Sequence, residues 1–187
     1  MNRRRFLSAC AAASSAVLLT GHSPYRQWQV YRQTHLVILT SRDDPGADDL
    51  GEALAAVICT ALPDSKAAVA RGPGVQRIAS LISTHQAEVG VVSYANALAM
   101  YRGEPPFQNY GPIALRLLVQ SASYKLVCRE DFLPQHGYLV AEALLENGGE
   151  LGLFIPDRRA SDAEGIPLHA GALAFAEGQP LDQRDRP

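Results

Sequence analysis

The stretch HLVILTSRDDPGADDLGEALAAVICTA, residues 35–61, contains the pattern of a strand, a loop and a helix in succession. His35–Thr40 is a short apolar run that ends in polar turn residues, which is typical of a buried strand. From Pro45 to Ala61 the apolar residues recur with helical spacing. Asp44 is a favoured N-cap residue, and proline is favoured at the first position of a helix. We therefore predict a β–α unit at the start of the folded domain.

The same alternation continues along the chain. Ala67–Ala70 and Val89–Val92 have the pattern of strands, and a helix follows each of them. The first of these helices should open at Pro73, with Val75, Ile78, Ala79 and Ile82 on one side, and the second should span Tyr94–Tyr101. Strands that alternate with helices favour a parallel sheet with right-handed crossovers.

The pattern changes after residue 112. Ile113–Gln120 and Tyr124–Arg129 are strand-like runs separated by a few small residues, which predicts an antiparallel or sheet-switching pair. A helix should then begin at Pro134 and end at Asn147-Gly148-Gly149 with a glycine C-cap. The predicted fold class is α/β, with a mostly parallel sheet flanked by helices.

The N-terminus has the pattern of an export signal. Residues 2–8 read NRRRFLS, and the apolar stretch Ala9–Leu19 is too short to span a bilayer core of about 30 Å. The arginines followed by Phe6 and Leu7 fit the twin-arginine type. We predict a signal peptide over residues 1–22 and a periplasmic domain over 23–187, with anchoring by an uncleaved signal as the alternative.

Charge and cysteine content narrow the classes of function. Removing the three arginines of the signal from the 17 basic residues leaves 14, against 19 acidic residues. This acidic balance disfavours nucleic-acid binding, which requires a basic surface. Cys59 and Cys128 are far apart and have no metal-site spacing. We expect two buried free thiols, with a disulfide as the alternative in an oxidising compartment.

Three loops follow the predicted parallel strands, and ligands of parallel α/β sheets gather at such positions. Gly72 and Gly74 would let a ligand approach the backbone, while Arg71 or Arg77 could bind a carboxylate. Asp43 and Asp44 argue against an anion at the first loop. The alternative is that the loops are ordinary caps and turns. The candidate ligand-binding residues are Ser41, Arg42, Gly72, Gly74, Val75, Gln76, Arg77, Ser93, Tyr94 and Asn96.

The sequence contains none of the catalytic motifs that we sought. It has no G-x-S-x-G elbow, no H-E-x-x-H and no P-loop, and its histidines are scattered. His169 is expected to be a hydrogen-bonded packing residue. We therefore predict no enzyme, no catalytic residue, no metal and no cofactor.

Several segments together resemble a known family. In order, they are LGEAL (50–54), GPGVQR (72–77), EVGVVS (88–93), YRG (101–103), YKLVCR (124–129) and IPLHAGA (166–172). After an export signal, this series is similar to the extracytoplasmic solute receptors of tripartite (TRAP) transporters, the TAXI family. Gly74 stands where serine is common in that family, Arg77 where asparagine is expected, and Ala95 where an acid often occurs.

The resemblance implies a type II periplasmic-binding-protein fold that binds a small organic solute, such as an amino acid or carboxylate, and meets the membrane subunits of a TRAP transporter. The second lobe of such a receptor is missing between about Val119 and Ser123, so we expect a single lobe. The alternative is an interaction protein that no longer binds a solute. Its cleft face would dock another subunit or a second copy of the chain.

Overall fold

The computed structural model describes residues 35–159, 161 and 165–179, so the predicted signal peptide lies outside the described residues. The described part contains one five-stranded sheet with helices on both faces. Its strands are β1 Val37–Ser41, β2 Ala68–Gly72, β3 Val89–Ser93, β4 Leu115–Gln120 and β5 Tyr124–Arg129. Its α-helices are α1 Pro45–Ala61, α2 Val75–Ser83, α3 Tyr94–Arg102, α4 Pro134–Asn147 and α5 Ala170–Ala176.

The sheet has the order β2-β1-β3-β5-β4 and is mixed. β1 pairs in parallel with β2 and β3, whereas β5 pairs antiparallel with β3 and β4. Of the two alternatives predicted for β4 and β5, the structure contains the antiparallel pair. The prediction of a mostly parallel sheet was wrong, because two of the four strand pairs are antiparallel. β1 to β4 run in one direction, so the carboxyl ends of these four strands and the amino end of β5 lie at the same end of the sheet.

Two apolar clusters fill the two sides of the sheet. Successive strand residues point to opposite faces, so Ile38 packs under α1 and α4 while Leu39 packs against α2 and α3. The first cluster includes Ile38, Leu54, Ile58, Val91, Leu126 and Leu144. The second includes Leu39, Ile78, Ile82, Met100, Leu117 and Val127. The predicted helix faces are thus the buried ones.

One helix boundary and one helix cap differ from the sequence prediction. α2 begins at Val75 instead of Pro73, because Gly74 is extended (φ −169°, ψ 168°) and occupies the N-cap position. α4 does end at Gly148, but with φ −97° this residue does not adopt the left-handed cap conformation. Glycine fits there because a Cβ would lie 2.4 Å from the carbonyl oxygen of Leu144.

The C-terminal helix α5 packs closely on the start of α4. A Cβ on Gly171 would lie 2.0 Å from the carbonyl oxygen of Pro134, so this crossing requires glycine. His169 caps α5: its Nδ1 accepts a hydrogen bond from the Gly171 amide (3.2 Å), so its Nε2–H donates to the carbonyl oxygen of Phe132 (2.8 Å). The prediction of a hydrogen-bonded packing histidine is confirmed.

The cysteine prediction was half wrong. Both thiols are free, but Cys59 is exposed and only Cys128 is buried. Position 59 lies on the solvent side of α1, next to the buried Ile58. Burial raises the pKa of the Cys128 thiol far above its usual value. None of the helices in the described ranges has the length and apolarity needed to cross a membrane.

Candidate functional site at the carboxyl edge of the sheet

The structure brings the three predicted loops to one end of the sheet, which we call the carboxyl edge. It comprises residues 41–44, 72–77, 93–96 and the β4–β5 turn at 121–123. Ser41 at the end of β1 is in register with Gly72 at the end of β2, and Ser93 at the end of β3 is in register with Tyr124 at the start of β5. The candidate residues therefore share one surface.

The first loop is held by its own polar groups. The Ser41 side chain accepts a hydrogen bond from the Asp43 amide (3.3 Å), and the Asp44 carboxylate caps α1 by accepting from the Ala47 amide (3.2 Å). Ser41 is also buried, so its hydroxyl belongs to the turn. The Arg42 side chain is exposed and has no ion-pair partner among the described residues. Of the two predicted residues here, only Arg42 is presented to solvent.

A long-range contact fixes the first loop to the turn at the start of β5. The Tyr124 hydroxyl donates a 2.6 Å hydrogen bond to Asp44, 80 positions earlier in the chain. This bond to the carboxylate, together with burial, raises the pKa of Tyr124. The Asp44 carboxylate thus accepts hydrogen bonds from Tyr124 and from the first turn of α1. It is part of the scaffold of the edge.

The second loop leaves the N-terminus of α2 open. Gly74 is the N-cap residue and supplies no capping side chain, so the first amide groups of α2 keep unfilled donor capacity. The exposed Arg77 lies on the first turn, and a Cβ on Gly72 would be 3.4 Å from the Arg77 Cβ. No ion-pair partner for Arg77 occurs in the part of the chain that the structure describes. Backbone donors and a free guanidinium are the groups that bind a carboxylate.

Arg71, the other predicted carboxylate binder, is not available. Its Nε donates to Asp48 (2.7 Å) and its Nη2 to Glu52 (2.7 Å), both on α1. A hydrogen bond from Thr40, followed by the Arg71 contact, lowers the pKa of Asp48. Arg71 therefore links β2 to α1, and of the two arginines Arg77 is the better candidate for binding a ligand carboxylate.

The Asp43 carboxylate limits which ligands the second loop can bind. A Cβ on Gly74 would be only 2.9 Å from Asp43 Oδ2 and 3.4 Å from Gln76 Oε1. A negative charge thus stands beside the open end of α2, while Arg42 and Arg77 supply two positive charges on the same edge. A ligand with both a carboxylate and a hydrogen-bond donor matches this mixture better than a bare anion does.

The third loop presents an aromatic ring. Ser93 caps α3 by accepting from the Asn96 amide (3.4 Å), so its hydroxyl is part of the scaffold. Tyr94 is 40% exposed, and the Asn96 side chain is partly exposed. The Tyr94 ring and the Asn96 amide are the groups of this loop that a ligand could contact.

The sequence analysis missed Lys125, which lies beneath this loop. Lys125 is only 3% exposed, and its Nζ lies 4.8 Å from the centre of the Tyr94 ring. Nζ also donates to the side chain of Gln120, which is in register with Lys125 in the β4–β5 pair. A lysine directly before the apolar run LVC in the strand YKLVCR was the available signal. The contact between Lys125 Nζ and the ring links Tyr94 to the sheet beneath it.

A cavity of about 400 Å³ lies at the opposite end of the sheet. Its lining includes Ile82, His85, Ile113, Arg129 and Asp131. The Arg129 guanidinium already bonds to the Asp131 carboxylate, and this contact lowers the pKa of Asp131. Because its charged groups are already paired, this cavity is a weaker candidate than the carboxyl edge for binding an ionic solute.

Within the described ranges, no group of three or more His, Cys, Asp or Glu side chains is arranged to hold a metal ion. Comparison of the chain with protein-family models found no matching family, and comparison with curated proteins found no match.

Proposed function

We propose that this protein is an exported solute-binding protein whose carboxyl edge binds a small organic solute such as an amino acid or carboxylate. The observation that carries the proposal is that three strand-to-helix loops share one edge of the sheet with the uncapped start of α2 and with Arg77, which has no ion-pair partner among the described residues. The α2 amides and Arg77 would bind the carboxylate of the solute. Tyr94 and Asn96 would contact its remainder.

The segments that resemble TAXI receptors support a narrower proposal. GPGVQR, the end of EVGVVS and the start of YKLVCR lie at this edge. On this proposal the fold is one lobe of a type II periplasmic binding protein, and the protein serves a TRAP-type transport system. On the same proposal, the short turn at 121–123 would be the point at which two-lobed receptors carry their second lobe.

A single lobe predicts weak binding. Two-lobed receptors enclose most of a ligand's surface, whereas an open edge contacts one side of it. The ligand loses its translational freedom in either case, so affinity should be lower by orders of magnitude. We therefore expect dissociation constants in the high micromolar to millimolar range.

The test is a thermal melt of the full chain against amino acids, dicarboxylates and 2-oxo acids at millimolar concentration. A ligand at about ten times its dissociation constant adds about 1.4 kcal/mol of stability, which still gives a readable shift. Arg77→Gln should abolish the shift, whereas Arg102→Gln, at the other end of α3, should keep it. No shift with any compound, or equal shifts in both variants, would contradict binding at Arg77.

One observation favours a second function, protein docking at the same edge. Tyr94 and Phe154 are two of the exposed large apolar residues, and the backbone of Phe154 pairs with Gln120 beside Lys125. Such exposed rings are common at protein interfaces. On this alternative, Tyr94→Ala would weaken docking of the partner protein. Small solutes would not change the melting temperature of the protein.

A further inference from the structure

The two outer strands of the sheet differ in how their free edges are covered. At β4, Gln120 exchanges two 2.9 Å backbone hydrogen bonds with Phe154. Leu117 donates to Pro167 (2.9 Å) and accepts from His169 (2.8 Å). Later segments of the chain therefore cover β4. Among the described residues, β2 pairs with β1 alone.

The hydrogen bonds show which β2 groups point outward. The Ala68 amide donates to the Leu36 carbonyl, and the Gly72 carbonyl accepts from the Arg42 amide, each at 3.0 Å. Ala68 and Gly72 therefore face β1. Backbone groups alternate in direction along a strand, so Ala70 also faces β1, while Val69 and Arg71 face away from the sheet. Their amides and carbonyls have no backbone partner in the described part of the chain.

Within its five residues β2 lacks a proline, a bulge and a projecting charge, three features by which proteins block strand pairing. Pro73 follows directly, so the edge available for pairing is limited to β2 itself. β2 contains no proline, and its register with β1 runs without a shift over all five residues. Arg71 is the charged residue of the strand, but its guanidinium is held against Asp48 and Glu52 on α1. It therefore lies over the helix face and leaves the strand edge accessible.

We propose that β2 pairs antiparallel with β2 of a second copy of this chain. The outward residues Val69 and Arg71 lie at equal distances from Ala70, so a two-fold axis at Ala70 places Val69 of each copy opposite Arg71 of the other. Such a pair exchanges both of its N–H···O hydrogen bonds. The two Ala70 residues then form the close pair on the axis, where their small side chains fit. One strand thus supplies both halves of a symmetric interface.

The charges near the axis give this interface a salt dependence. A two-fold axis perpendicular to the sheet keeps α1 of both copies on the same face. Each copy brings a cluster of Asp48, Glu52 and Arg71, which carries one excess negative charge. Screening of this repulsion should make association stronger at higher ionic strength.

Light scattering on the full chain, with the variant Val69→Pro, tests this proposal. Proline at 69 removes an amide that bonds to nothing within the described sheet, so the fold should survive while the interface loses a donor. Val69→Ala keeps the amide and is the matched control. We expect wild type and Val69→Ala to dimerise at high concentration, more so in salt, and Val69→Pro to remain a monomer.

Amide hydrogen exchange provides a second measurement if Val69→Pro fails to fold. In the wild type, exchange at Val69 and Arg71 should slow by at least about tenfold as the concentration is raised through the dimerisation range. A wild type that stays monomeric, a Val69→Pro dimer, or protection at 69 and 71 that does not depend on concentration would each overturn the proposal. None of these results would contradict solute binding at the carboxyl edge, because that binding is measured by a separate assay and involves a different surface.

Discussion

Removal of the Tyr124 hydroxyl tests whether the carboxyl edge is held together by one long-range bond. In Tyr124→Phe, Asp44 loses a 2.6 Å hydrogen bond but keeps the one from the Ala47 amide. Hydrogen bonds to charged groups contribute about 1.5–3 kcal/mol, and this one is only half-buried, so the loss should be about 1.5 kcal/mol. For a domain of this size, that lowers the melting temperature by about 3 to 6 °C.

The assay is calorimetry or urea unfolding of the full chain, with Tyr138→Phe as control. Tyr138 packs its ring on Phe175, and its hydroxyl has no hydrogen-bond partner in the described ranges. Its loss should cost less than about 0.5 kcal/mol. A Tyr124→Phe protein as stable as the wild type at pH 7 would refute the reasoning.

The wild type and Tyr124→Phe can also be compared as a function of pH, and the direction of the change in their stability difference is fixed. The Asp44 contact raises the pKa of Tyr124 in the folded state, so its stabilising contribution is present below the unfolded pKa of about 10. As the pH rises above 10, the unfolded chain loses this proton more readily and the contribution is lost. The stability difference between wild type and Tyr124→Phe should therefore shrink above pH 10. A difference that stays constant up to pH 11 would show that the phenol does not titrate in this way.

Three further predictions concern the rest of the fold. Gly171→Ala should lower the free energy of unfolding by about 3 kcal/mol or more, because the added Cβ would collide with the α4 backbone. Gly149→Ala, whose added Cβ would meet nothing within 4 Å, is the control and should change it little. Urea unfolding measures both changes. Burial lowers the pKa of His169, so stability should fall as the pH drops below about 6.5, and unfolding curves of His169→Gln should lack that part of the slope. In a thiol-reagent assay at pH 8, Cys59→Ser should remove one fast-reacting thiol and Cys128→Ser none; equal losses would contradict the burial of Cys128.

The sequence predicted the elements well because their periodicities are strong. The run at 35–40 and the spacing along Pro45–Ala61 depend on local preferences, and the structure contains both elements close to the expected bounds. The exposure of Cys59 could also have been predicted, since position 59 falls outside the apolar stripe of that helix. The start of α2 was misplaced because an extended Gly74 separates Pro73 from the helix.

The details of the candidate site could not be predicted, because they depend on pairs of residues distant in sequence. Nothing near Arg71 indicates that Asp48 and Glu52 occupy its guanidinium. Nothing near Asp44 indicates a bond from Tyr124. Local rules predicted where the loops lie, but only the sheet order determines which of their polar groups remain unpaired.

The central claim is that the carboxyl edge binds a small organic solute, and amide chemical-shift mapping with the same panel of compounds tests it most directly. We predict that a carboxylate-bearing compound shifts the amides of Val75 and Gln76 at the start of α2 and of residues 93–96, with saturation at millimolar concentration. Shifts confined to the cavity around His85 and Asp131, or no saturable shift with any compound, would contradict the claim.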